Sequence, residues 1–260
     1  ASWGLTSSER ATVDRFFSIH ASRRILSGNL QTRNHFLRLP NLNGGARDDL
    51  LYGRFASPTT TTWYRRLSSS TAFTGVSTAS SDAGDAGDVF LTGDVTGDGR
   101  DDLVYGRFVS STQVRWYVRA SNSSGLLVAP PAVSPLSTTI WRSDAGDVGD
   151  IFRLGDVNND GRADLVYGRP FSSDTVQWYV RLSSGTSFGD AVTWRSDAGD
   201  EGDIFLLGDV DADGDADLVY GNTVSESQVR WYARRSNGAS FGSRETWRED
   251  AGDQIGRAHV

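Results

Sequence analysis

Short runs of alternating apolar and polar residues fill most of this chain, and turns rich in Gly, Asp, Asn and Ser separate them. The run Val176–Arg181 alternates strictly, so Val176, Trp178 and Val180 share one face of a predicted strand. Three further runs in the same unit are predicted strands: Asp150–Gly155, Leu165–Arg169 and Thr193–Arg195. Four strands separated by turns predict one antiparallel blade.

The unit repeats along the chain. Trp-Tyr pairs begin at 63, 116, 178 and 231, and Asp-Ala-Gly-Asp begins at 82, 144, 197 and 250. The spacings are 53 or 62 residues, and one insertion within Ser121–Thr139 explains both longer ones. A period near 50 with several short strands is typical of β-propeller blades. We therefore predict an all-β propeller of four-stranded antiparallel blades, present as an incomplete arc of four to five blades.

The repeats set the predicted domain boundaries. Residues 36–253 hold the blades, and residues 1–35 do not fit the repeat and stay unassigned. Residues 254–260 depart from the expected continuation, and we expect them to be a non-native or truncated tail.

Each predicted blade places an Asp-rich loop between its first and second strands. In the loop that begins at Asp156, oxygen-bearing side chains occupy positions 1, 3, 5 and 9, and Gly161 occupies the sharp turn at position 6. Such alternation can converge the oxygens that Ca²⁺ prefers, with the carbonyl at position 7 as a further ligand. The predicted ligands are Asp94, Thr96, Asp98, Arg100 and Asp102; Asp156, Asn158, Asp160, Arg162 and Asp164; and Asp209, Asp211, Asp213, Asp215 and Asp217.

The loops differ from an EF-hand and from one another. Position 12 is Tyr167, where an EF-hand needs a bidentate Glu, and a β-prone segment follows in place of a helix. A metal-free hairpin turn is the alternative for a single loop, but three loops in one register favour about three calcium sites. Ligand charge predicts the tightest site at Asp209–Asp217, then Asp156–Asp164, then Asp94–Asp102. A fourth copy, Asn41–Asp49, lacks the central carboxylate and the turn glycine, and we expect it to be empty.

A second candidate site follows the fourth strand of each blade, where Trp and Arg precede an Asp-rich turn. One interpretation makes the tryptophans blade packing and pairs the turn aspartates with the repeated arginines Arg54, Arg107 and Arg169. The other is a sugar site, in which a flat aromatic face lies beside fixed polar groups. Its candidate residues are Trp141, Arg142 and Asp144; Trp194, Arg195 and Asp197; and Trp247, Arg248 and Asp250.

Composition narrows the classes of partner. The net charge of −7 argues against nucleic acid and anionic membranes. No apolar run reaches membrane-spanning length, so we expect no membrane insertion. The chain has no cysteine and therefore no disulfide framework. A calcium array of weak to moderate affinity is typical of extracellular proteins, which predicts a secreted or cell-surface location.

The segment Gly155–Gly168 resembles the FG-GAP/VCBS repeat, the blade unit of integrin α-subunit propellers and of many secreted bacterial proteins. The resemblance implies a calcium-binding propeller that serves adhesion or lectin-like carbohydrate binding, with a glycan, an extracellular protein and the remaining blades of a parent protein as partners. The alternative is the accessory propeller of a secreted hydrolase whose catalytic domain lies elsewhere. Gly185–Gly189 and Gly238–Gly242 match Gly-x-Ser-x-Gly, but both occupy the same predicted turn and no histidine lies in the repeats. We expect no catalytic activity in this chain.

Overall fold

The fold consists of β-strands throughout the described part of the chain. The computed structural model describes residues 35–128, 140–225 and 228–249, which form seventeen strands. The predictions for Asp250, for the tail and for nearly all of the N-terminal segment fall outside these residues. No helix that could cross a membrane is present in the ranges described.

Four antiparallel sheets form the four blades of a β-propeller, which confirms the predicted fold class. The first blade contains β1 (His35–Arg38), β2 (Leu50–Ser57), β3 (Thr60–Arg66) and β4 (Ser77–Ser80). The second contains β5 (Val89–Gly93), β6 (Asp102–Ser110), β7 (Gln113–Ser121), β8 (Leu127–Val128) and β9 (Ile140–Arg142). The third contains β10 (Ile151–Gly155), β11 (Asp164–Ser172), β12 (Thr175–Arg181) and β13 (Val192–Arg195). The fourth contains β14 (Ile204–Gly208), β15 (Asp217–Ser225), β16 (Gln228–Arg234) and β17 (Glu245–Arg248).

A glycine on the second strand of each blade makes room for a tryptophan on the third. Gly168 lies opposite Trp178 in the β11–β12 register, and a Cβ at this glycine would lie 2.8 Å from the indole ring. Gly106 and Trp116 repeat the arrangement. Because no side chain intervenes, the indole packs over the neighbouring strand and is fully buried. The Tyr-Gly and Trp-Tyr motifs therefore describe one packing unit.

The blades pack through aromatic pairs that cross from one sheet to the next. Phe205 on the first strand of the fourth blade lies 4.9 Å from Trp178 of the third blade, ring centroid to ring centroid. A second pair, at 5.3 Å, joins Trp194 to Phe241, and the backbone N–H of Phe241 donates to the carbonyl of Trp194. The same seam joins the second and third blades. The repeated aromatic positions thus form the interfaces between blades.

At each end of the four-blade unit, one aromatic residue of the seam type is largely exposed. Phe73 in the first blade stands where Phe188 and Phe241 stand in later blades, yet it is 46% exposed. Trp247 in the fourth blade is 45% exposed. The residues at the equivalent positions in the other blades are covered by a neighbouring blade.

Candidate calcium loops and polar cleft

The four Asp-rich loops share a backbone turn that the sequence conceals. Position 4 takes a left-handed conformation in every loop, with φ of 75° at Gly44, 76° at Gly97, 55° at Asn159 and 66° at Ala212. Glycine and asparagine tolerate this region, whereas alanine is strained there. The spacing of the motif indicates the glycine at position 6 but not the left-handed residue at position 4, because Ala212 stands there in the last loop.

The first aspartate of each acidic loop folds the loop around its own carboxylate. Asp94 Oδ1 accepts from the N–H of Gly97 at 2.7 Å, and Asp94 Oδ2 accepts from the N–H of Gly99 at 2.7 Å. Asp209 accepts in the same way from the N–H groups of Ala212 and Gly214. Hydrogen bonds between protein groups therefore define the shape of the loop independently of a cation.

The aspartate at position 9 joins the loop to the third strand. In the third blade, Asp164 Oδ1 accepts from the N–H of Ser183 at 2.7 Å, and Oδ2 accepts from the N–H of Val157 at 3.3 Å. The side chain is fully buried. Equivalent bonds hold Asp49 and Asp217. Asp102 accepts from the N–H of Ser121 in the same way, and from that of Thr96 at loop position 3. Because Asp49 keeps this role in the loop that we expect to be empty, position 9 has a structural function that does not depend on metal.

Burial dominates the electrostatics of these position-9 carboxyls. It raises the pKa of Asp102 and of Asp164 to about 7, and the nearby loop carboxylates push in the same direction. Burial also raises the pKa of Asp217. A positive ion among these groups would favour the ionised form, since an opposite charge offsets both effects.

Arginine side chains already neutralise part of two loops. Asp160 Oδ2 pairs with Arg162 Nη2 at 2.6 Å, and Asp98 pairs with Arg100 at the same repeat position. Both guanidinium groups also donate through Nε to a carbonyl at the end of the third strand. In the fourth blade the arginine is replaced by Asp215. This loop therefore carries five aspartates at alternate positions and no compensating arginine of its own.

The last loop has the closest set of carboxylates. Asp209, Asp211 and Asp217 each place an oxygen within 4.8 Å of the other two, and this is the one such group in the described ranges. Arg235 Nη1 lies 3.4 Å from Asp211 Oδ2 at the margin of the group. Burial and neighbouring carboxylates, Asp213 first, raise the pKa of Asp215. These residues fit a hard divalent cation, and the predicted order of calcium affinities stays a prediction.

The Asn41–Asp49 loop differs in backbone as well as in charge. Ala46 stands at position 6, where the three acidic loops have a left-handed glycine, and it does not adopt that conformation. Asn41 turns its amide inward and donates to the carbonyl of Gly45 at 2.7 Å. The expectation that this loop holds no calcium stays a prediction.

The structure separates the three candidate sugar platforms. The rings of Trp141 and Trp194 are 5% exposed and pack on Phe188 and Phe241, so neither presents a free face for a sugar. A platform must be partly exposed, and only Trp247 among the three meets that condition. For the two buried rings the sugar-stacking interpretation is therefore corrected to seam packing, because the next blade covers them.

The polar groups of the same candidate site bind one another. Arg142 pairs with Asp144 at 2.6 Å and with Asp190 at 3.0 Å, and Arg195 pairs with Asp197 at 2.5 Å. Arg248 also has an interaction within the chain. The third aspartate of the set, Asp250, lies outside the described residues.

The Asp-Ala-Gly-Asp segments pair with the repeated arginines in the second and third blades. Arg169 Nη2 lies 2.9 Å from both Asp147 and Asp150, and its guanidinium carbon lies 5.7 Å from the ring centroid of Tyr179. Arg107 forms the same arrangement with Asp85 and Asp88. Pairing of this kind was one of the two interpretations of these turns, and it is confirmed for Arg107 and Arg169.

The fourth blade has a polar cleft at this position. Asn222 replaces the arginine, and its Nδ2 donates to Asp200 at 2.9 Å and to Asp203 at 3.0 Å. Beside it lies a cavity of about 560 Å³, lined also by the rings of Tyr220 and Tyr232. Arg195 and Asp197, two of the predicted ligand-binding residues, line the same cavity. Sequence reasoning missed the cleft, although the Arg-to-Asn change in the fourth repeat was visible.

The sheets and the acidic loops define the class of the protein as a β-propeller whose blades repeat an Asp-rich loop. In a comparison with protein families, residues 156–220 match the family model of the FG-GAP-like repeat. The match runs from the loop of the third blade to the second strand of the fourth. A search of curated proteins found no match. The chain is therefore a four-blade propeller in which residues 156–220 are similar to the FG-GAP-like repeat.

Proposed function

We propose that this propeller is a calcium-binding module that binds a carbohydrate or a protein outside the cell. The observation that carries the proposal is the convergence of Asp209, Asp211 and Asp217 within 4.8 Å in a loop without its own arginine. Three carboxylates so close repel one another, and a divalent cation would turn that repulsion into attraction. Extracellular calcium is abundant enough to fill sites of modest affinity.

Calcium in this module would act on stability. Each loop connects the first and second strands of a blade, and position 9 connects the loop to the third strand. A cation that binds only the folded loop therefore stabilises the whole sheet by RT ln(1 + [L]/Kd). The role in partner binding is supported by the cleft of the fourth blade, where aromatic, anionic and cationic side chains line one cavity.

A pair of variants at loop position 3 tests the calcium proposal. Asp211 belongs to the carboxylate group, and Asn43 is the matched position in the first loop. Thermal unfolding should be measured in chelator and in millimolar CaCl₂. We expect calcium to raise the Tm of the wild type and of Asn43→Ala, and to raise that of Asp211→Ala less. Identical melting curves of the wild type with and without calcium would contradict the proposal.

Partner binding needs a separate experiment. The calcium-loaded protein should be applied to a glycan array and, in parallel, tested against extracellular matrix proteins, with chelator-treated protein as the control. We expect calcium-dependent binding to at least one class of partner. Calcium binding without any recognised partner on either panel would contradict the proposed binding role.

A further inference from the structure

The seams that join the second blade to the third and the third to the fourth have a direction. In both, the preceding blade supplies a tryptophan ring and its carbonyl, and the following blade supplies a phenylalanine ring and its N–H group. Trp141 and Phe188 lie 5.3 Å apart, ring centroid to ring centroid, and Trp194 and Phe241 repeat this distance. Each phenylalanine N–H donates to the tryptophan carbonyl at 3.3 Å. The two halves of a seam are therefore different, complementary surfaces.

Side-chain hydrogen bonds cross these seams in the same direction. Ser183 Oγ of the third blade donates to the carbonyl of Val95 at 2.7 Å, and Ser236 Oγ of the fourth blade donates to that of Val157 at 2.6 Å. Both serines are buried. Ser68 stands at the same position in the first blade, where it is only partly buried. The first blade thus carries the donor half of a seam.

The fourth blade carries the acceptor half of a seam. Each seam packs an alanine of the following blade on the glycine that ends the first strand of the preceding one. A Cβ at Gly93 would lie 3.0 Å from the Cβ of Ala163, and a Cβ at Gly155 would lie 3.1 Å from that of Ala216. Gly208 is the equivalent glycine of the fourth blade, and no described atom lies within 4 Å of a Cβ placed there.

Apolar side chains are exposed on both of these half-seams. Phe73 of the first blade is 46% exposed, and Trp247 and Leu206 of the fourth are 45% and 49% exposed. Leu206 lies on the side of the fourth blade that faces away from the third, because Arg153 at the equivalent position bonds the carbonyl of Phe205 in the next blade. A partner that covers these residues would remove apolar surface from water, which favours association.

We propose that a second copy of this chain covers these surfaces, with the fourth blade of one copy packed on the first blade of the other. Trp247 of one copy lies against Phe73 of the other, as Trp194 lies against Phe241 within the chain, and Ser68 Oγ donates to the carbonyl of the other copy's fourth loop. A second copy fits because its first blade carries the half-seam that complements the fourth blade. Two copies together hold eight blades, a number that closed propellers reach, so two identical seams close a ring of two chains.

The mass of the chain in solution tests the proposal. Sedimentation equilibrium is measured over a range of protein concentrations, once in CaCl₂ and once in chelator, so that the result does not depend on the calcium proposal. In at least one of the two conditions we expect twice the chain mass of 28.2 kDa at high concentration and the mass of one chain on dilution. Unfolding of the dilute chain then reports burial within one copy. A monomer at every concentration in both conditions, or a series of masses above that of two chains, would overturn the proposal.

Two variants test the head-to-tail direction. We expect Phe73→Ala and Trp247→Ala each to dimerise at least about tenfold more weakly than the wild type, because central aromatic residues carry much of the binding energy of an interface. An equimolar mixture of the two should restore dimers, since one of its seams joins an intact Phe73 to an intact Trp247. Phe171→Ala is the matched control, because Phe171 is 80% exposed on a hairpin of the third blade, away from both half-seams. A mixture that dimerises no better than either variant alone, or an equal loss in Phe171→Ala, would overturn the assigned seam.

Asp48 provides a test in the opposite direction, which a misfolded variant could not pass. The N–H of loop position 8 crosses each seam: that of Ala163 donates to the carbonyl of Asp94 at 2.7 Å, and that of Ala216 donates to the carbonyl of Asp156 at 2.6 Å. The first blade has the larger, charged Asp48 at this position, where it would face the acidic fourth loop of the other copy. Asp48→Ala should therefore strengthen dimerisation. Unchanged or weaker dimerisation of Asp48→Ala would contradict the proposed contact.

Discussion

Two tryptophans at the same repeat position provide a stability test of the blade seams. Trp194 is buried, with its ring 5.3 Å from that of Phe241, whereas Trp247 is 45% exposed. Burying a tryptophan removes roughly 200 Å² from water, which at about 25 cal/mol per Å² gives about 5 kcal/mol as an upper estimate. Trp-to-Ala changes at core sites cost about 3–5 kcal/mol, and we expect Trp194→Ala to fall in that range.

Trp247→Ala is the control, because the same chemical change is made where much of the ring is already in water. Its loss should be clearly smaller than that of Trp194→Ala, in proportion to the smaller buried area. Urea denaturation followed by far-ultraviolet circular dichroism measures both, and it avoids the fluorescence of the residue that is removed. A loss below about 1 kcal/mol for Trp194→Ala would refute seam packing, since an exposed sugar platform behaves that way. Equal losses for the two variants would refute the assigned difference in burial.

Two further predictions concern the loops. Ala212→Gly should stabilise the protein by about 1 kcal/mol, because Ala212 has a φ of 66°, and Ala46→Gly should destabilise it slightly; urea midpoints check both. Burial raises the pKa of Asp102 and Asp164 to about 7 from 3.8, so the metal-free native state holds protons that the unfolded chain has released. Their contribution to stability is therefore greatest below about pH 4 and is lost as the pH rises towards 7. Denaturation of metal-free wild type at pH 5 and pH 7.5 should show this fall, and Asp164→Asn should reduce it.

The blade architecture could be predicted from the sequence because its causes are local and repeated. Strict alternation in Val176–Arg181 defines a strand without knowledge of its neighbours. The spacing of the Trp-Tyr pairs defines the repeat, and the glycine opposite each tryptophan lies in a fixed motif. Each of these signals recurs, so a chance match in one unit is corrected by the others.

Features that depend on the next blade could not be predicted in the same way. Trp141, Trp194 and Trp247 share the local sequence Trp-Arg-x-Asp-Ala-Gly-Asp, yet the first two are buried and the third is not. Among the described residues, the first two are covered by the phenylalanine of a following blade and the third is not. The dual role of Asp164, as a candidate ligand and as a buried acceptor for the third strand, also required the three-dimensional register.

The polar cleft of the fourth blade could not be predicted from the sequence for a third reason. The change from Arg169 to Asn222 is plain in the aligned repeats, but its meaning depends on knowing that Arg169 pairs with Asp147 and Asp150. Without that contact the substitution is one of many differences between repeats. Departures from a repeat become informative once the structure shows what the repeated residue does.

Counting bound calcium tests the central claim most directly. Equilibrium dialysis against radioactive calcium at millimolar concentration gives the number of ions per chain. We expect about three, one for each acidic loop, and we expect Asp209→Asn to lose one of them while Asn41→Ala loses none. A wild-type chain that binds no calcium at this concentration would contradict the account.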